Sequence, residues 1–248
     1  MTDTVEVTVD QGVATIWLNR PDRLNAVSDE LVTDLLAALD AVASSGAGAA
    51  VLAGRGRAFC AGHDLKEVIP PGDSRERIER LQEVTRRLRA LPQPVVAAVH
   101  GYAIGAGAEF ALGCDLILAS DDAVFAFPEV GLGLSVTGAA SRLLPLIVGP
   151  LKARELILLG ERITAPVAKG MGLINRLVGG DELVERATEL AARIAERPAQ
   201  AVTLAKRAID SGIDGAVAST LELEVSHALL TEHTAEVAAS AEAFRSRK

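Results

Sequence analysis

Cysteine is scarce in this chain: Cys60 and Cys114 are the two in 248 residues, far apart and in no CxxC or Cys/His ligand spacing. A disulfide framework is excluded and no zinc-ligand set is present, so both read as small buried residues. Basic excess is lacking as well. With 25 Lys and Arg against 33 Asp and Glu, the formal net charge is −8, which offers no basic face for sequence-independent nucleic-acid binding. A nucleotide-bearing small ligand stays open, because Arg20, Arg23, Arg55, Arg57 and Lys66 flank the first two loops and can meet phosphates even on an acidic protein. No apolar run is long enough to span a bilayer. The longest uncharged stretch, residues 92–108, is broken by His100, Gly101 and Gly105, so no membrane segment is expected. The start, Met1-Thr2-Asp3-Thr4-Val5-Glu6, has neither the basic opening and apolar run of a secretory signal nor an Arg-rich transit pattern; a cytoplasmic location is expected.

What is present is an ordinary globular composition, 49% apolar and 23% charged, in a chain long enough to bury a substantial core. One domain with a small appendage is the natural count. Residues 5–9 alternate strictly, Asp10-Gln11-Gly12 supplies a turn and residues 13–18 resume strand character, which predicts a β-hairpin. Ser28 is placed to cap a helix running to about Ala43. A strand at 49–53, a charged helix at 73–90, an apolar strand at 95–99, a helix from Gly105 to about Leu112 and short strands at 115–119 and 124–127 follow. This alternation implies parallel βαβ units. From Val136 onward, segments near 138–148, 150–159, 165–170, 181–196, 199–210 and 216–245 read as helices.

Three bends carry the chemistry. The loop Phe59-Cys60-Ala61-Gly62-His63-Asp64-Leu65 follows a buried strand, with glycine where unusual backbone angles are needed. His63 has no nucleophile and orienting acid nearby, so a catalytic triad is not indicated and its backbone amide is the group of interest. The second bend, from Val99 through Gly105-Ala106-Gly107 to Glu109, opens a helix whose first N–H groups can stabilise an anion. A dinucleotide reading of Gly105-x-Gly107 is weak, since Phe110 stands where close helix packing requires a small residue, although Asp121 or Glu129 could mimic the ribose acid. The third bend, Phe127-Pro128-Glu129, places a second carboxylate just after a strand. Two carboxylates in a partly apolar pocket are expected to have their pKa values driven apart, one ionised and one protonated, dividing base from acid.

The series AFCAGHDLKE, PVVAAVHGYAIGAGAE, CDLILAS and FAFPEVGLGL closely resembles the enoyl-CoA hydratase/isomerase (crotonase) superfamily over essentially the whole chain. The resemblance implies an α/β fold, with a crotonase-like core of repeated ββα units over residues 1–190 and a helical C-terminal trimerisation region over 191–248. It implies acyl-CoA ligands and no metal or redox cofactor, coenzyme A being part of the substrate. By resemblance the backbone amides of His63 and Ala106 form an oxyanion hole for the thioester carbonyl. Arg23, Ala61, His63, Asp64, Leu65, Lys66 and Tyr102 would line the acyl-CoA arm. Glu109 would activate water for attack at Cβ, and Glu129 would deliver the proton to Cα. The chain departs from the family pattern at Ser135-Val136-Thr137-Gly138-Ala139-Ala140, where Thr137 falls at a glycine bordering the water site. It departs again at Ala243-Phe244-Arg245-Ser246-Arg247-Lys248, which lacks the usual glutamate.

The activity this implies is hydration of a 2-enoyl-CoA. The alternatives are an enoyl-CoA isomerase using Glu129 alone, a non-catalytic acyl-CoA-binding paralogue and, more distantly, an NAD-dependent oxidoreductase; retention of Glu109 favours hydration. A homotrimer or homohexamer is expected, with amphipathic segments such as residues 183–194 burying apolar stripes in the assembly.

Overall fold

A computed structural model describes residues 4–64 and 74–214. In chain order its first half contains β1 (Val5–Asp10), β2 (Val13–Leu18), α1 (Asp29–Ser44), β3 (Ala49–Gly54), α2 (Ser74–Ala90), β4 (Val95–Val99), β5 (Tyr102–Ile104), α3 (Ala106–Gly113), β6 (Leu116–Ser120) and β7 (Val124–Ala126). The second half contains α4 (Ala140–Val148), α5 (Pro150–Leu159), β8 (Ile163–Thr164), α6 (Ala165–Gly170), β9 (Arg176–Val178), α7 (Leu183–Ala195) and α8 (Ala199–Asp214). The expected hairpin is present: β1 and β2 pair antiparallel, with Asp10 opposite Val13 and both Gln11 and Gly12 at positive φ, as the twist of a two-residue hairpin turn demands.

A six-stranded sheet runs in the order β1-β2-β3-β4-β6-β9, parallel from β2 onward, and a small second sheet runs β5-β7-β8. Side chains of the large sheet divide by parity, as the two-residue pleat requires. Ile16, Leu52, Ala97 and Ile117 enter the main core with α1, α2 and α3, whereas Val13, Val51, Val96 and Leu118 face α7. α1 presents Leu31, Val32, Leu35, Ala38, Leu39 and Val42 to the core at helical spacing, and the Ser28 hydroxyl accepts a hydrogen bond from the Leu31 amide at 3.3 Å. Such a cap contributes about 1 kcal/mol.

Several expectations need correction. The stretch after Val136 is not purely helical: β8 pairs antiparallel with β7, and β9 extends the large sheet beyond β6. Strands of two or three residues are too short for periodicity to reveal; the open edges of β6 and β7 select them. β5 likewise lies within what reads as a loop. The apolar stripe of α7 is covered inside the chain, since Leu183, Ala187 and Ala191 pack on the alanine- and valine-rich face of the sheet. The division expected between residues 190 and 191 falls inside this helix. α8 is tied to the core by Lys206, whose ammonium is buried and donates to the Leu88 carbonyl at 3.0 Å and to Asp115 at 2.8 Å. The segment 216–245 and the terminal motif at 243–248 lie outside the described residues. No helix among the described residues is long and apolar enough to cross a membrane.

Candidate active site

The site begins with a loop held on both sides. The Cys60 amide donates to the Tyr102 carbonyl at 2.8 Å and the Ile104 amide to the Cys60 carbonyl at 3.1 Å, so the loop runs as an extra strand beside β5. On its other flank the Ala61 amide donates to Leu24, the Val27 amide to Gly62 and the Asp64 amide to Val27, at 3.0, 2.8 and 2.9 Å. His63 sits between these anchors, in a parallel bridge with Val27. Asp64 meets Arg20 at 3.0 Å, and both side chains are mostly shielded, so the Asp64 carboxylate braces the loop wall. Arg20 also donates to the Ala26 carbonyl, fixing the preceding turn.

Asn25 closes this frame, and nothing in the sequence motifs singles it out. Fully buried at φ +55°, it accepts from the Arg20 amide at 2.8 Å through Oδ1 and donates to the carbonyls of Arg55 and Ala58 at 2.9 and 2.7 Å. Asparagine is among the few residues with a side chain that tolerate the left-handed region, and that was its one legible signal.

α3 is set against the loop by two glycines. A Cβ on Gly107 would lie 2.2 Å from the Cys60 carbonyl oxygen, so only glycine lets the helix start approach the loop this closely. Gly105, at φ +53°, caps the helix, and a Cβ there would lie 2.7 Å from Glu129 Oε1. Ala106 is the first helical residue, so its N–H has no acceptor within the helix. Glu129 follows β7 and Pro128 and opens a short 3-10 turn, Glu129–Leu132, which aims its carboxyl at Gly105. The Glu129 carboxyl, set this close to Gly105, takes up the space in front of the helix start that a pyrophosphate would need, which removes the dinucleotide reading.

Glu109, on the first turn of α3, is 1% exposed and Glu129 is 7% exposed. Their hydrogen bonding differs. Glu109 Oε1 accepts from the Thr137 amide at 2.6 Å and Oε2 accepts from the Thr137 hydroxyl, while Gly138 backs onto its side chain. Glu129 Oε2 is buried with no hydrogen-bond partner among the described residues. Burial raises the pKa of both carboxyls. For Glu109 the two Thr137 bonds oppose that rise and the Glu129 charge adds to it; for Glu129 a bond from its own backbone opposes it. Both shifts run upward, so the expected separation of the two values comes from partners, not from opposite directions: donors support a charged Glu109, and an unpartnered oxygen favours a protonated Glu129.

The remaining expected site residues are more scattered. Ala61 is in the loop, Tyr102 lies half-exposed on β5 with the Arg162 guanidinium 5.6 Å from its ring centroid, and Arg23 is on the surface one residue before Leu24. Leu65 and Lys66 lie outside the described residues. Arg55, expected among possible phosphate contacts, pairs with Glu6 at 3.0 Å and stacks on Trp17. Cys60 is buried and its thiol is pushed up to about 12; burial pushes the Cys114 thiol up as well, so neither is a nucleophile at neutral pH.

A family profile described as Enoyl-CoA hydratase/isomerase matches residues 8–248. The Bacillus subtilis (strain 168) protein YngF is 39% identical over 90% of this chain and 88% of its own length. The 1,2-epoxyphenylacetyl-CoA isomerase of Escherichia coli (strain K12) is 36% identical over 97% and 94%. Among solved structures, the enoyl-CoA hydratase from Bacillus anthracis superposes with a TM-score of 0.94 at 32% identity, covering 99% of this chain and 97% of that one.

Proposed function

The chain belongs to the enoyl-CoA hydratase/isomerase (crotonase) family, which acts on acyl-CoA thioesters, and from that premise we propose that it adds water to a 2-enoyl-CoA. The observation that carries this reading is a pair of buried glutamates, Glu109 on the first turn of α3 with two donors and Glu129 beside the helix's Gly105 cap with an unpartnered oxygen. The amides of His63 and Ala106 receive the thioester carbonyl oxygen. Glu109 takes a proton from water as its oxygen bonds to Cβ, and the π pair moves onto the carbonyl oxygen as an enolate. Glu129 then gives its proton to Cα and the enolate collapses. Solvent returns a proton from Glu109 to Glu129 before the next turnover. Losing one oxyanion donor in such a site typically costs about 2.7–4 kcal/mol. Arg23, Ala61, Asp64, Leu65, Lys66 and Tyr102 are the proposed contacts to the acyl-CoA arm, and no separate metal or redox cofactor is invoked.

A second reading, double-bond migration by Glu129 alone, is favoured by one feature: the buried Glu129 Oε2 has no partner among the described residues, so a single carboxyl suffices to carry a proton from one carbon to the other. Absorbance of the conjugated thioester separates the two. Hydration removes it from a 2-enoyl-CoA, migration creates it from a 3-enoyl-CoA, and binding alone changes neither with time. A closed trimer or a dimer of trimers is the proposed assembly. It is supported by the exposed apolar face of α5, where Leu151, Leu158 and Leu159 are 79%, 63% and 62% exposed.

A further inference from the structure

Thr137 stands where the family pattern leads one to expect glycine, and it is the residue that reaches both oxygens of Glu109. We infer that Thr137 is a positioning residue whose hydroxyl, together with its amide, clamps the Glu109 carboxylate in one orientation and keeps it a hydrogen-bond acceptor ready for a water proton. A glycine here could supply the amide but not the hydroxyl, so the second bond belongs to this chain's own sequence. Among the described residues two of the carboxylate's roughly four lone-pair positions are used, which leaves one on each oxygen for water. Gly138, at φ +54°, has no room for a Cβ beside Glu109, so the Thr137-Gly138 pair packs directly against the carboxylate.

The surroundings make this clamp the main counterweight to burial. Among the described residues the titratable group that bears on Glu109 is Glu129, whose ionisation would raise it further. The elements packed against α3 contribute Val84 and Leu88 from α2, Ala103 from β5, and Ala140 and Leu143 from α4 to the same core, all uncharged. A hydroxyl donating to the charged form holds the carboxyl below the value that burial alone would set. Removing it raises that value, so the ionised base is lost at a higher pH as the solution is acidified.

The test rests on the hydratase reading for its kinetic arm and is independent of it in its spectroscopic arm. Thr137→Val keeps the shape and the amide and deletes the donor; Thr137→Ser restores the donor. In Thr137→Val the acid limb of kcat/KM for 2-enoyl-CoA hydration is expected to move up by about one to two pH units, and in Thr137→Ser it should return. Isotope-edited infrared titration of the carboxyl, assigned by the band lost in Glu109→Gln, should move by the same amount. A lowered rate with an unmoved limb and an unmoved carboxyl titration would reduce Thr137 to a packing residue. If the wild-type protein hydrates nothing, the hydratase reading falls, and the carboxyl titration alone still decides for or against the clamp.

Discussion

Replacing Asn25 by alanine should loosen the proposed oxyanion loop without touching a reacting atom. The substitution deletes three hydrogen bonds, one buried, to the Ala58 carbonyl, and two partly buried, to the Arg20 amide and the Arg55 carbonyl. At about 0.5–1.5 kcal/mol each these sum to roughly 1.5–4.5 kcal/mol. Alanine must also hold φ +55°, which adds about 1–2 kcal/mol, for a central expectation of about 4.5 kcal/mol. Asn25→Gly loses the same bonds but is at ease at positive φ, so it should recover part of that loss. Urea unfolding at fixed protomer concentration reads both variants. With a slope of about 3 kcal/mol/M, the alanine midpoint should fall by about 1.5 M, with glycine between it and wild type. Hydration turnover should fall as well, because the tie that sets the 55–64 loop is gone. Midpoints and turnover unchanged in both variants would refute the argument that this amide frames the site.

His63→Ala leaves the backbone N–H in place, so turnover should stay within about tenfold of wild type, whereas a side-chain base would cost about 10²–10⁴. Light scattering should give a mass about three or six times that of the 25.8 kDa chain; a stable, fully active monomer would contradict the proposed assembly. Burial raises the Glu129 pKa in the folded state, so the stability tied to its proton is fully present below the unfolded value and is lost as pH rises through the folded one. Glu129→Gln should therefore gain stability relative to wild type on going from pH 5 to pH 8, and a pH-independent difference would show that the carboxyl is not held protonated by burial.

The hairpin, α1 with its Ser28 cap, the apolar strand β4 and the glycine bends ahead of Glu109 and Glu129 were legible because each depends on neighbours within a few positions. What escaped depends on distant partners. Asn25 acts on carbonyls 30 and 33 positions away, and Thr137 on a carboxylate 28 positions away, so neither shows in a local pattern. β9 is a strand because β6 offers it an edge, and its own three residues carry no period. The stripe of α7 was visible, but its destination was not: the small residues of β3 and β4 that receive it become one surface only when the sheet is assembled.

The most direct test of the account is the rate at which a 2-enoyl-CoA loses its conjugated absorbance with wild type, Glu109→Gln and Glu129→Gln, measured alongside thioester binding. Division of base and acid between the two carboxyls predicts that wild type hydrates and that each variant loses about 10²–10⁴ in rate while binding within severalfold of wild type. Near-normal hydration by Glu129→Gln, in a correctly folded protein, would contradict the claim that this buried, unpartnered carboxyl supplies the Cα proton.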